Sequence, residues 1–469
     1  LSRRRTSSPP RMSLARCWVL SLLCTRALCL KMSVAPDLPA LRILGSDQLD
    51  ASCFEPVEPE ARAQALSIVE AVKSGGEAAL LEHAWRFRDL KEGDAKFLLS
   101  AADLEQAFTS CDKDLQEMLL RTAARVRRFA EAQRSSITPI EVDIAGGKAG
   151  QTVAPVKSAG CYAPGGRYPL PSSVLMTAVT ARAAGVEKVV VASPRPSPVT
   201  MAAAHVAGAD ALLAVGGAQA IAALAYGVGE GVPACDIIVG PGNKWVTAAK
   251  SIVSGVCGID MLAGPSEVLV IADDTADAAV VAADLLAQAE HDVEARPILV
   301  THEQSVIDKV NEELAKQLAV LTTNEVAIPA VRKGFAVLTK DMEESIAVSD
   351  RLAPEHLEIQ TADSQAVANK CSSYGGLFIG RSAAEVLGDY GAGPNHVLPT
   401  GGTGKYTGGL SVHTFLRLRT WMRIDDPEEA QQQVKDSVQL ARLEGLEGHA
   451  RAAEQRLLEE PASKRQREA

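Results

Sequence analysis

From about residue 152 the chain repeats one pattern, a short apolar run rich in β-branched residues followed by an Ala-rich stretch with helical character. The runs are Val189 to Ala192, Leu212 to Val215, Ile237 to Val239, Val268 to Ala272 and Ile298 to Thr301. Strand, helix, strand at this spacing predicts βαβ units, a parallel sheet and right-handed crossovers. The expected fold class is therefore α/β. Aromatic residues make up only 4% of the chain, which fits helices packed on a parallel sheet better than an aromatic-rich β-sandwich. At roughly 150 residues per domain the length suggests about three domains. A hydrophobic content of 47% is ample for buried cores.

Charge narrows the partners. With 48 basic against 58 acidic residues the net charge is -10, so there is no general field to attract phosphate backbones or anionic lipid, and no nucleic-acid or membrane partner is expected. The nine cysteines contain no CxxC pair and are too dilute for a disulfide scaffold, which makes a reducing compartment the default. The first 36 residues carry Arg3, Arg4, Arg5, Arg11, Arg16, Arg26 and Lys31 with no Asp or Glu, beside several serines. This basic, acid-free composition is that of an organelle transit segment, and plastid targeting is the expectation, with a non-targeting extension on a cytoplasmic protein as the alternative. The apolar run from Trp18 to Leu23 is too short to span a membrane.

Residues 61–85 read as helical, interrupted at Ser74-Gly75-Gly76, and Leu115, Met118, Leu119, Val126 and Phe129 repeat on one helical face. From Pro427 the chain reads as helical and charged, ending in a polar tail.

No GxGxxG follows a predicted strand, and Gly404-Lys405 lacks the rest of a P-loop. Instead there are three glycine-rich turns: Cys161 to Gly166, Gly216-Gly217-Ala218-Gln219, and Gly240-Pro241-Gly242-Asn243-Lys244. The last two lie between a strand and a helix, at the carboxyl ends of strands where α/β sheets bind ligands. Each alone is equally a tight turn; three together favour a ligand. Gln288 and His291 stand three apart in a helical stretch, a spacing that suits a shared metal but is more often a solvated polar face. Asp389, His396 and His449 lie in glycine-bearing neighbourhoods and are further candidate ligands. Glu355 and His356 are adjacent among apolar residues. On a strand their side chains point apart, so each suits a different proton transfer, and a surface Glu beside a capping His is an equal reading.

GCYAPGG (160–166), LPSSVLM (170–176), VGGAQAIAALAYG (215–227), VGPGNKWVTAAK (239–250), DMLAGPSEVLVIAD (260–273), LLAQAEHD (285–292), APEHLEIQ (353–360), GDYGAGPNHVLPT (388–400) and EGLEGHA (444–450) occur in this order. Together they resemble the histidinol dehydrogenase family from about residue 40 to about residue 458. The resemblance implies a zinc-dependent, NAD-using oxidation of L-histidinol to L-histidine through L-histidinal, the last two steps of histidine biosynthesis. It implies zinc at Gln288, His291, Asp389 and His449, and catalysis by Glu355 and His356. It implies substrate contacts from Ser266, Gln288, His291, His356, Asp389, His396, Glu444 and His449, and a dinucleotide along Tyr162, Pro164, Gln219 and Asn243. The implied fold has two incomplete Rossmann-like domains, a small N-terminal element and a helical C-terminal domain exchanged within a homodimer. On this reading residues 1–36 are the targeting segment and 37–58 the N-terminal element. Residues 59–161 plus 266–410 form one Rossmann-like domain, 162–265 the other, and 411–469 the exchanged region. Thr180, Gly448 and the run from Arg417 to Arg423 depart from the usual family pattern. The competing functions are a zinc hydrolase in which Glu355 activates water, and an inactive binding protein.

Overall fold

A computed structural model describes residues 38–49, 57–165 and 168–458 of the protein. The expected targeting segment and the polar tail lie outside the described residues.

Three sheets organise the chain. The first has six parallel strands in the order β1 (Arg42–Gly45), β12 (Phe335–Leu338), β11 (Arg296–Thr301), β10 (Glu267–Ala272), β13 (His356–Gln360) and β14 (Gly376–Ile379). The second runs β2 (Leu98–Ser100), β7 (Ala211–Leu213), β6 (Lys188–Ala192), β5 (Ser158–Tyr162), β8 (Ile237–Val239) and β9 (Gly258–Ile259), all parallel except the edge strand β2. The third is a small antiparallel sheet of β15 (Leu416–Ile424), β4 (Gly147–Pro155) and β3 (Ile140–Ile144). All five predicted apolar runs are strands of the two parallel sheets. Alternate residues of a strand serve opposite faces: Val268, Val270 and Ala272 enter one hydrophobic cluster, and Leu269 and Ile271 another.

The domain boundaries differ from those read from the sequence. Residues 59–161 pack mainly on the second sheet rather than on the first, and meet 266–410 chiefly at residues 391–410. Helix Pro59–Arg86 packs on helices Gly217–Tyr226 and Lys244–Val253, helix Ala101–Thr109 packs on Pro198–Ala207, and β2 extends the second sheet. Conversely β1, expected in a separate N-terminal element, completes the first sheet beside β12. An open parallel sheet offers unpaired backbone at its edge to any extended segment, and neither strand nor amphipathic helix carries a sequence mark saying which edge or face it meets. The C-terminal region, expected to be helical, passes from a short 3-10 helix, Val412–Phe415, into β15, whose nine residues pair with β4; helices Gln431–Leu443 and Glu447–Glu454 follow.

The helical expectations hold with local changes. Helix Pro59–Arg86 contains the expected interruption as a single residue, Gly76, at φ 56°. In helix Lys113–Ser135 the buried stripe is Leu119, Thr122, Ala123, Val126 and Ala130, whereas Met118 and Phe129 are exposed at its margin. Among the described residues no helix is long and apolar enough to cross a membrane.

The chain passes from the carboxyl edge of the second sheet to the amino edge of the first through residues 260–266, and a buried ion pair anchors this crossing. Lys250 and Asp260, 3% and 0% exposed, contact each other. Lys250 Nζ donates to the Gly240 carbonyl at 3.0 Å, and Asp260 accepts from the Gly240 and Met261 amides, both at 2.7 Å. Gly240 has φ +117°, and a Cβ there would strike the Tyr162 carbonyl, so the turn needs glycine and both its backbone groups are clamped. Removing one charge strands the other. We expect Lys250→Met to lower unfolding stability in urea by about 3–5 kcal/mol; a loss below about 1 kcal/mol, the worth of an exposed pair, would contradict the assignment.

Candidate active site

Helix Ala278–Ala289 starts under the side chain of Asp277, which accepts from the Ala279 amide at 3.1 Å. Its last turn carries Gln288, fully buried, and His291 follows just beyond its end. His291 Nδ1 bonds the Ala287 carbonyl at 2.9 Å and presents Nε2 to Asp389 Oδ2 at 3.3 Å. A ring held through Nδ1 by a carbonyl leaves the Nε2 lone pair for a ligand. Asp389 ends the short helix Glu385–Asp389, whose first amide, that of Glu385, donates to Glu358 Oε1 at 2.7 Å. Ligand atoms of His291, Glu385 and Asp389 all lie within 4.8 Å of one another. Gln288 stands beside this group. Its amide is 3.1 Å from His356 Nδ1 and, with the nitrogen inward, donates to the Glu267 carbonyl and Glu385 Oε1, both at 3.2 Å.

Neighbouring strands set the other side. Glu267 opens β10 and His356 opens β13, with Val268 paired to His356, so both lie at the amino edge of the sheet. His356 Nδ1 is 3.2 Å from the Glu267 carbonyl, while its buried Nε2 has no hydrogen-bond partner and lies 3.7 Å from Asp389 Oδ1. Glu355 precedes the strand and accepts from the Glu267 amide at 3.0 Å; its carboxylate is 3.8 Å from His356 Nδ1. The two adjacent side chains therefore serve one site rather than pointing apart, because Glu355 sits before the regular pleat begins. His396 Nδ1 bonds the Asp389 carbonyl at 3.0 Å, leaving a second buried imidazole nitrogen, Nε2, without a partner. Ser266 immediately precedes Glu267 and is half-buried.

Burial governs the charges. It raises Glu267 to about 7 and Glu355 well above the carboxylate range. It also raises Glu385, helped by the charges of Asp389 and Glu358, and raises Glu358, helped by Asp284. The same desolvation lowers His356 to about 4 and lowers His396. Asp389 and His291 go the other way: burial opposes ionisation of both, but their mutual contact outweighs it, holding Asp389 low and His291 high. The site thus combines neutral imidazoles, carboxyl groups that retain protons, and one firmly ionised carboxylate.

Gln288, His291, Glu355, His356, Asp389 and His396 converge here. His449 and Glu444 do not: both are exposed, on or beside the C-terminal helices, which pack chiefly on each other and leave Leu440 and Leu443 at 59% and 85% exposure. The expected dinucleotide residues lie across the carboxyl edge of the second sheet with internal partners. Tyr162 is buried and its hydroxyl accepts from the Gly217 amide at 3.1 Å. Asp89 Oδ2 accepts from the Gly216 amide and from Gln219 Nε2, at 3.0 and 3.1 Å. The first turns of helix Gly217–Tyr226 are thus filled by protein groups rather than open to the crevice, as expected from the sequence. Asn243 caps helix Lys244–Val253 through the Trp245 and Val246 amides and remains exposed, and Pro164 is half-buried.

Glu267, Glu358, Glu385, Asp284 and Gln360 escaped the sequence reading. Two of them carried a signal: Glu267 opens and Glu358 interrupts an apolar strand run, where an acid is costly unless it has partners.

The family model for histidinol dehydrogenase matches residues 55–457. This chain belongs to the histidinol dehydrogenase family. Histidinol dehydrogenase from Thermus thermophilus is 44% identical over 391 residues, covering 83% of this chain and 93% of that one. Sulfopropanediol 3-dehydrogenase from Ruegeria pomeroyi is 41% identical over 401 residues, covering 83% and 91%. The crystal structure of histidinol dehydrogenase from Elizabethkingia anophelis matches with a TM-score of 0.82 at 29% identity, over 89% of this chain and 98% of that chain. As a member of the histidinol dehydrogenase family the chain is an oxidoreductase.

The buried acids give a pH test. A carboxyl whose folded pKa is raised keeps its proton in the folded state after the unfolded chain has lost it, so stability is full below about pH 4 and falls as pH climbs through the folded value. Glu358→Gln removes one such group while keeping an oxygen for the Glu385 amide. The variant should lose less stability than the parent between about pH 5 and about pH 8. Parallel stability curves for the two proteins over that window would show that Glu358 does not hold its proton.

Proposed function

We propose that this protein oxidises L-histidinol to L-histidine through L-histidinal, using two NAD and a bound zinc ion. The observation that carries this reading is the convergence of His291, Asp389 and Gln288 beside two buried imidazoles whose Nε2 atoms lack partners, within a pocket of carboxyl groups. The donor set fits the metal: an Nε2 lone pair and an ionised carboxylate are O/N ligands suited to zinc, with Gln288 adjacent. His449 completes the proposed ligand set from a second copy of the chain. That role is consistent with its exposure on a helical hairpin that leaves leucines uncovered. Glu444, on the same hairpin, would reach the substrate with it, so the active unit is a homodimer with exchanged C-terminal regions.

Family membership leaves the substrate open, since relatives of comparable identity carry different substrate names. Charge favours histidinol. Glu267, Glu355, Glu358, Glu385 and Asp389 crowd the pocket, with the Arg296 charge acting on Glu267 at its edge. Asp389 is ionised and the other acids can release protons to an incoming cation, which favours a cationic amino alcohol and opposes an anionic sulfonate.

Zinc would orient the imidazole and amine of the substrate and NAD would accept hydride, each oxidation taking one NAD. The protein's own groups move the protons. His356, neutral at pH 7 because burial depresses its pKa, takes the alcohol proton in the first oxidation. Glu355, once it ionises as positive charge enters the pocket, would take a proton from the water that adds to the aldehyde, and burial makes that carboxylate the stronger base. Ser266 and His396 line the substrate. Retention of the aldehyde between the steps is served by the burial of both catalytic side chains. The dinucleotide would lie along Tyr162, Pro164, Gln219 and Asn243. The carboxylate of Asp89 at the start of helix Gly217–Tyr226 keeps the pyrophosphate away from those first amides, which agrees with a loose, non-standard mode of binding.

Purified enzyme with zinc and NAD should form two NADH per histidine from L-histidinol and none from 2,3-dihydroxypropane-1-sulfonate; the opposite preference would overturn the substrate assignment. His356→Asn should depress the alcohol-oxidising half more, and Glu355→Gln the aldehyde-oxidising half, measured by supplying histidinol or histidinal separately. Equal losses in both halves for both variants would contradict the division of labour. The plastid reading rests on composition alone. Residues 1–36 fused to a fluorescent protein should enter plastids, and a diffuse cytoplasmic signal would favour the alternative.

A further inference from the structure

The segment that carries Asp389 and His396 belongs to the first sheet's half of the molecule, yet its supports come from the second. Arg125, on helix Lys113–Ser135, donates from Nε to the Gly391 carbonyl at 2.6 Å and from a terminal nitrogen to Thr122 Oγ1 at 3.1 Å. Gly391, at φ +87°, lies so close to Thr122 that a Cβ would strike its methyl group. Four residues from Asp389, Gly393 passes over Phe129 of the same helix.

The second support is Asn395, the residue before His396. Its Oδ1 accepts from the Val397 amide at 3.0 Å, which closes its own turn. Its Nδ2 crosses to the other half and donates to the Met176 carbonyl at 2.8 Å and Thr180 Oγ1 at 3.1 Å. These acceptors lie where the helix spanning residues 171–184 widens into a π turn, Leu175–Val179. A π turn displaces the local hydrogen bonding and lets a backbone carbonyl serve an outside donor. Thr180 Oγ1 also donates to the Met176 carbonyl, at 2.6 Å, so that hydroxyl and carbonyl form one fixed receptor. Beyond Asn395 the chain buries Val397, Leu410, Val412 and Phe415 in the core of the second half. The loop between the two supports is the one that sets Asp389 against His291 and His396 against the Asp389 carbonyl.

We infer that Asn395 and Arg125 are positioning residues for the reaction: reaching between the two halves, they fix the loop that places Asp389 and His396 in the site. The inference rests on the function proposed above. Outer supports of metal-binding side chains typically account for about 10–100-fold in metal affinity or activity. Asn395→Ala should therefore weaken zinc, measured by competition with a chromophoric chelator, and lower kcat by at least about tenfold, with a smaller change in KM for NAD. Amide hydrogen exchange of residues 388–398 should quicken. Asn395→Asp, which keeps the oxygen facing Val397 but not the donor, should match Asn395→Ala. Thr180→Val, a milder loss, should follow in the same direction, and Thr180→Ser should restore parental values. Thr180→Val also serves if Asn395→Ala fails to fold.

Unchanged exchange overturns the inference, as does faster exchange with zinc affinity and kcat at parental values. A parent chain that neither holds zinc nor oxidises histidinol overturns the function reading instead, and leaves exchange of residues 388–398 to decide whether Asn395 holds the loop.

Discussion

The constraint on which this structure turns is the burial of many acidic groups in one place. Glu267, Glu355, Glu358 and Glu385 are each at most 6% exposed; Glu267, Glu355 and Glu385 gather about His356 at the amino edge of the first sheet, and Glu358 stands behind Glu385. Water cannot solvate them, so most must keep protons, share hydrogen bonds or wait for a cation. Backbone amides of Glu267, Glu385 and Gly401 supply some of those bonds, which ties the strand starts and the short helix Glu385–Asp389 into one network. A pocket so arranged is poised to receive positive charge. The same burial makes His356 and His396 neutral, as a base or an acceptor must be.

That arrangement depends on architecture as much as on side chains. Two related parallel sheets meet with opposite edges, the carboxyl edge of one leading through residues 260–266 to the amino edge of the other. The glycine turns near Tyr162 and Gly240 thereby belong to one half and the carboxyl cluster to the other, while Lys250 and Asp260 clamp the crossing. The loop bearing Asp389 and His396 returns the connection, leaving the first half and anchoring in the second. Each half stabilises what the other uses.

Much was legible in the residues. The apolar runs named β6, β7, β8, β10 and β11 because parallel strands buried on both faces need short β-branched segments, and that need does not depend on distant contacts. Glu355 and His356 were legible as a pair, but not their orientation, since that hangs on where the pleat starts. Met118 and Phe129 were placed in the wrong part of a helical stripe, because periodicity fixes a direction only to within about one residue on either side. Glu385 carries no local motif, and its proximity to His291 arises from a return of the chain across almost a hundred residues.

Sequence alone determined the fold class, the strand-forming runs, the family pattern and the chemical types available for catalysis, because these follow from local propensity and from residue identity. Only the tertiary structure decided that residues 59–161 complete the second sheet's half, that β1 closes the first, that Asp89 fills the start of helix Gly217–Tyr226, and that Gln288, His291, His356, Asp389 and His396 share one pocket. The physical reason is the same in each case. Edge pairing, helix docking and the burial of charge are contacts between segments far apart in the chain, and their free energy belongs to the pair of surfaces rather than to either stretch of sequence.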